Sequence, residues 1–172
     1  ATPLAQIKEA GALNTSFIDL LVGNCGGTIG ETCAIALILG GIYLIVKKVI
    51  SWRTPVVYIA TVLVLTYIFK LSGIEAASAR QPIQELFAGG LMLGAFFMAT
   101  DYVTSPITPN GKLVFGVCLG LLTFIFRMFG GSAEGVSYAI IFCNLLVPLI
   151  ERVTVPKSFG KKKPEKKAKE AA

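Results

Sequence analysis

Residues 30–69 read GETCAIALILGGIYLIVKKVISWRTPVVYIATVLVLTYIF. Two apolar runs, residues 30–46 and 54–69, flank a short connection that holds Lys47, Lys48 and Arg53. Three further runs follow at residues 84–100, 112–126 and 136–151. Each of the five is roughly 15–17 residues long. That is slightly short of the about 20 residues an upright helix needs to cross a bilayer. The reading is therefore an all-α membrane protein with about five transmembrane helices over residues 30–151. Short, Gly-rich runs suit a compact bundle with broken or half-inserted helices, because irregular backbone is tolerated where protein buries it. A further stretch, SFIDLLVGNCGG at residues 16–27, is too short to cross. Residues 16–29 are expected to form a re-entrant or interfacial segment, its helix ending in the glycines.

Composition agrees. Of 172 residues 54% are hydrophobic and 15% charged, where soluble domains run near about 25% charged. Mean hydropathy is +0.72. Eight basic and eight acidic residues precede position 152, and eight basic face two acidic after it. The whole net charge of +6 thus sits in the tail, residues 152–172. A neutral apolar body with one basic end points to the lipid bilayer as surroundings and away from nucleic acid. The tail is nearly free of apolar residues and is expected to be disordered, as a cytoplasmic solubilising segment or as a contact for anionic lipid. The other basic cluster is Lys47, Lys48 and Arg53, and the remaining loops are balanced. Basic loops stay inside, so both clusters are assigned to the cytoplasm, and five crossings then put the N-terminal end of this chain outside.

The sequence holds four cysteines and no histidine. With no CxxC pair and no His, a zinc site is not expected. No phosphate-binding loop, dinucleotide fingerprint or Ser/His/Asp set occurs. Side-chain acid–base catalysis at neutral pH would need a shifted carboxylate or lysine, so no catalytic residue is assigned. Transport, or carriage of a prosthetic group, is favoured.

Acidic residues beside apolar sequence are candidates for function by default. Asp19 and Glu31 read equally as helix-start carboxylates that satisfy backbone N–H groups. Asp101 ends a span and is followed by YVTSPITPNGK, with Thr104 and Ser105 close behind. Such an oxygen-rich helix end could meet a flavin edge or a hard cation, or be a well-capped loop. Glycines inside the spans, such as Gly40-Gly41, Gly89-Gly90, Gly116 and Gly120, let helices approach closely or let a flat ring lie on the backbone. Thr2 precedes Pro3 and reads locally as an extended turn residue.

Three long stretches carry a resemblance: residues 26–59, GGTIGETCAIALILGGIYLIVKKVISWRTPVVYI; residues 89–131, GGLMLGAFFMATDYVTSPITPNGKLVFGVCLGLLTFIFRMFGG; and residues 134–151, EGVSYAIIFCNLLVPLIE. Together they resemble the D subunits of Rnf electron-transport complexes. That family is related to the B subunits of Na+-translocating NADH:quinone reductases. The likeness covers about residues 1–152.

The resemblance implies a redox subunit of an ion-pumping ferredoxin:NAD+ oxidoreductase in a bacterial inner (cytoplasmic) membrane, moving Na+ or H+. It implies covalent FMN on the Thr of an [S/T]-G-A-T motif. The opening Ala-Thr matches the end of that motif, which makes Thr2 the attachment residue, residues 1–15 the attachment segment and Lys8 a candidate partner of the phosphate. A noncovalent riboflavin is also implied, with the 101–112 loop the first candidate place for it. Asp101, Thr104 and Ser105 are further candidates for cofactor binding or an ion path, and no metal site is assigned. Implied partners are the other complex subunits, notably the flavin-bearing G subunit and the A, E and C subunits. The implied fold is one half of a 5+5 inverted repeat similar to urea transporters, with this chain as the second half. The competing reading is a urea-transporter-like passive channel without a redox role.

Overall fold

A computed structural model describes residues 2–10, 15–28, 30–72, 81–130 and 135–155. Most of the basic tail, residues 156–172, lies outside the described residues. Eight helices follow in order among the described residues. These are α1 (Pro3–Ala10), α2 (Phe17–Val22), α3 (Ala34–Val46), α4 (Arg53–Leu71), α5 (Pro82–Phe87), α6 (Leu91–Leu93, running on as a π turn over Gly94–Met98), α7 (Pro109–Phe129) and α8 (Val136–Thr154).

Only α4, α7 and α8, among the described residues, are long and apolar enough to cross a bilayer as single helices. The other two of the five runs expected to cross depart from that expectation. The first gives α3, with 13 residues. It starts at Ala34, after a stretch in which Glu31 N–H donates to Thr28 O at 3.2 Å. The third run, residues 84–100, is broken. α5 stops at Phe87, Gly89 takes φ +68°, and the helix restarts at Leu91. It then widens, as Ala99 N–H reaches back five residues to Gly94 O at 2.7 Å.

The core seam joins α4 to α7. Small residues on α7 let the backbones close up: a Cβ placed on Gly116 would lie 3.1 Å from Val57, and one on Gly120 only 2.5 Å from the Thr61 Cβ. Farther along, the rings of Phe69 and Phe124 meet edge-on at 5.6 Å. Positions rising together on both helices mean that α4 and α7 run parallel. The buried Tyr58 and Thr123 hydroxyls are 2.6 Å apart across this seam. Another buried hydroxyl of α4 is satisfied within its own helix, Thr66 donating to Val62 O at 2.8 Å. α8 lies antiparallel to α7: the Phe126 ring faces Tyr138 at 6.5 Å near one end, and Thr108 meets Thr154 at 2.9 Å near the other. The outward faces carry exposed Leu39, Val64, Val117, Leu145 and Leu149, as lipid contact requires.

Two ends result. At one end lie Lys47, Lys48, Arg53, Lys112 and Arg152, together with the 101–108 turn. That turn is tied in by the Tyr102 hydroxyl donating to Val49 O and by Ile107 N–H donating to the Glu151 carboxylate at 3.1 Å. Trp52 and Tyr102 are exposed there, as interfacial aromatics are. At the other end lie α1, α2, the 23–33 loop, the Ala88–Gly90 break, the C-terminus of α7 and the start of α8.

The segment read as re-entrant is a six-residue helix, α2. Gly23, at φ +97°, terminates it by donating its N–H to Asp19 O at 2.9 Å. A small cluster of Leu4, Leu20 and Ala88, with Cys25 and Phe87 against it, seats α1 and α2 on the break in the third run.

Candidate functional site

The Thr2 side chain caps α1. Its Oγ1 accepts the Ala5 N–H at 3.3 Å, and Pro3 occupies the first helical position, where a missing N–H costs nothing. Pro3 and Leu4 are buried, so the start of α1 is held against the bundle. Thr2 therefore sits at a fixed helix N-terminus, with the α1 amides and the positive end of the helix dipole beside its hydroxyl.

Thr2 opens onto a narrow cleft lined also by Pro3, Cys25, Gly26, Gly27, Glu31, Thr32, Phe87 and Gly89. The cleft has space for about one water molecule, about 10 Å³. Beside it is a wider cavity of about 330 Å³, lined by Thr28, Glu31, Gly90, Leu93, Met98, Val136 and Ser137. Glu31 is the wall the two share. Its Oε1 accepts the Thr28 N–H at 3.2 Å, and its Oε2 lies 2.5 Å from where a Gly90 Cβ would be. The carboxylate therefore rests directly on the break, which a side chain at position 90 would not allow. Burial, and then the charge of Asp19, push the Cys25 thiol above its ordinary pKa, so at neutral pH it stays a protonated thiol. Asp19 itself caps locally, accepting Asn24 Nδ2 at 3.3 Å.

The residues suggested by sequence do not form one cluster. Thr2 is at the α1 end. Asp101, Thr104 and Ser105 are at the opposite, basic end, in a turn where Thr104 Oγ1 donates to Asp101 Oδ2 at 3.2 Å and Ser105 N–H donates to Asp101 O at 3.2 Å. Asp101 is exposed. Lys8 lies in α1, and its side chain falls outside the described residues. Sequence reasoning did not single out Phe87, Ser137, Thr28 or the Cys25–Gly27 loop as walls of one site. Only the fold brings these positions together, although GG at 26–27 and at 89–90 was a visible signal for backbone that a flat group can approach.

An FMN phosphoester on Thr2 is compatible with this geometry. The hydroxyl lines an opening and is not locked inside the core. Phosphate oxygens placed there would accept the Ala5 N–H now served by Oγ1. The narrow cleft has no room for a flavin ring.

Comparison with known proteins gives a consistent picture. Residues 1–160 match the model of the NQR2, RnfD, RnfE family. The chain is 44% identical, over 98% of its length and 51% of the relative's, to the D subunit of a Na(+)-translocating ferredoxin:NAD(+) oxidoreductase complex of Acetobacterium woodii. It is 43% identical, over 93% of its length and 50% of the relative's, to the D subunit of a proton-translocating ferredoxin:NAD(+) oxidoreductase complex of Clostridium ljungdahlii. To the D subunit of an ion-translocating oxidoreductase complex of Actinobacillus succinogenes it is 44% identical, over 93% of its length and 46% of the relative's. The chain spans about half the length of these curated relatives.

Proposed function

The chain belongs to the NQR2, RnfD, RnfE family, and from that premise we propose that it is part of the membrane-embedded D subunit of an ion-translocating ferredoxin:NAD+ oxidoreductase, carrying FMN ester-linked to Thr2. The observation that supports the flavin reading is the placement of Thr2: a hydroxyl at a helix N-terminus, on the rim of a glycine-lined cleft, at the end away from the basic loop. When bound, FMN would supply the one- and two-electron chemistry that no side chain here provides.

The chain's own residues then do four things. Thr2 tethers. The α1 amides meet the phosphate charge. Gly26 and Gly27 keep the approach open, and Phe87 and Pro3 give apolar walls. A tether keeps the cofactor at a permanently high local concentration. In this reading the basic end faces the cytoplasm and Thr2 faces outward, toward a flavin-bearing partner in the complex. Asp101, Thr104 and Ser105, at the far end, would serve the path of the coupling ion and not the covalent flavin. That ion is Na+ or H+, since relatives named for each are almost equally similar.

The test is in-gel fluorescence. The denatured protein from the intact complex should glow under ultraviolet light, and Thr2→Val in the full-length protein should abolish the glow while the protein still inserts. Undiminished fluorescence after that substitution ends the proposal.

A further inference from the structure

We infer that Arg127 is the positioning residue of the Thr2 site, an inference that rests on the flavin reading above. Arg127 lies in the last turn of α7 and is only 3% exposed. A cation buried in an apolar bundle needs a specific use. The structure gives one: Nη1 donates to Glu85 O at 2.8 Å and Nη2 donates to Ala88 O at 3.1 Å. Those carbonyls sit at the end of α5, where the helix ladder stops and carbonyls lack intrahelical partners. The guanidinium therefore holds the third run in its broken form.

That break is part of the site. Phe87 and Gly89 wall the cleft onto which Thr2 opens. Gly89 adopts φ +68°, and a Cβ added there would lie 2.5 Å from Leu4 Cδ1 and 3.7 Å from Arg127 Nη2. The contacts form one chain, from guanidinium to broken backbone to Leu4 to the α1 N-terminus that carries Thr2. Leu4 and Ala88 share the same small apolar cluster with Leu20. If residues 82–98 ran as one continuous helix, the wall of the cleft and the seat of Leu4 would both be lost. A lysine cannot replace this clamp, because its single ammonium lacks the fixed fork that meets two carbonyls at once.

Two variants of the full-length protein in its complex test this: Arg127→Lys, which keeps the charge, and Gly89→Ala, which disturbs the same bend from the backbone side while the guanidinium stays in place. Two quantities are read, both per inserted chain. The first is the flavin-bearing fraction by in-gel fluorescence. It should fall severalfold in both variants, because the backbone that walls the cleft beside the attachment hydroxyl is no longer held in one shape. The second is alkylation of Cys25 by a maleimide, located by peptide mass, in a Thr2→Val background that carries no tethered flavin. It should rise severalfold as the cleft wall loosens. A wild-type flavin fraction in both variants, or unchanged Cys25 alkylation in Arg127→Lys, overturns the inference. If Thr2→Val alone keeps its fluorescence, the attachment reading fails instead, and Cys25 alkylation still decides whether Arg127 holds the bend.

Discussion

Thr2 and Thr108 do the same local job. Each precedes a proline at the first helical position, and each hydroxyl accepts the N–H three residues on, from Ala5 at 3.3 Å and from Gly111 at 3.0 Å. A third Thr-Pro, Thr54-Pro55, lies in the opening turn of α4. In sequence the first pair reads as an extended turn. The recurrence of Thr-Pro at the starts of α1 and α7 was the available sign of capping, whereas at α4 the N-cap is Trp52 and Thr54 lies inside the helix. Removing such a cap costs about 1 kcal/mol, so Thr108→Ala should lower the thermal midpoint in detergent while Thr108→Ser should not. Lys48 shows the opposite economy. It ends α3 at φ +58°, with Val49 N–H closing on Leu44 O at 2.9 Å, a position where glycine is the natural occupant. Lys48→Gly should stabilise the protein by about 1 kcal/mol, since the left-handed region strains a side chain. Cys25, with its raised pKa, should react slowly with maleimide at neutral pH, its rate still climbing at pH values where an exposed thiol has levelled off.

At the scale of elements, the α4–α7 seam sets what tolerates change. Gly120→Leu would force a side chain into Thr61 and toward the Tyr58 carbonyl, 3.2 Å from the new Cβ. Overpacking of this kind costs about 1–3 kcal/mol or more, and the expected result is loss of the monodisperse peak in gel filtration. Leu121→Ala, one residue on but exposed to lipid, should leave that peak intact. Tyr58→Phe removes one interhelical hydrogen bond and should cost roughly 0.6 kcal/mol, the average in a membrane. The long helices were legible because α4, α7 and α8 are unbroken apolar runs. The third run was legible as apolar but not as broken, because hydropathy cannot see a main-chain angle. The break depends on Arg127, 39 residues from Ala88, and no local window contains both. The candidate site was half legible for the same reason: Thr2 stood out through the resemblance, while Glu31, Phe87 and Ser137 acquire their meaning only from helices that meet in space.

The whole molecule is polarised along its long axis. Basic residues and interfacial aromatics gather at one end, and the cleft, the wider cavity and the buried Arg127 gather at the other. With the four native cysteines replaced by serine, impermeant maleimide applied to intact cells should therefore label Ser16→Cys and spare Ser51→Cys, with the reverse in inverted vesicles. Labelling of both from one side would refute the assigned orientation. The parallel pairing of α4 with α7 also bears on how the protein is made. Tyr58 and its partner Thr123 are 65 residues apart, so during synthesis the phenol leaves the insertion machinery long before the hydroxyl that will meet it exists. Until then α4 must wait in lipid with a polar group unmatched and with Val57 and Thr61 lacking the glycine groove of α7 that will receive them. Biogenesis thus has an obligatory late step, the docking of α7, and a ribosome stalled before residue 123 should leave α4 loosely held and open to proteolysis.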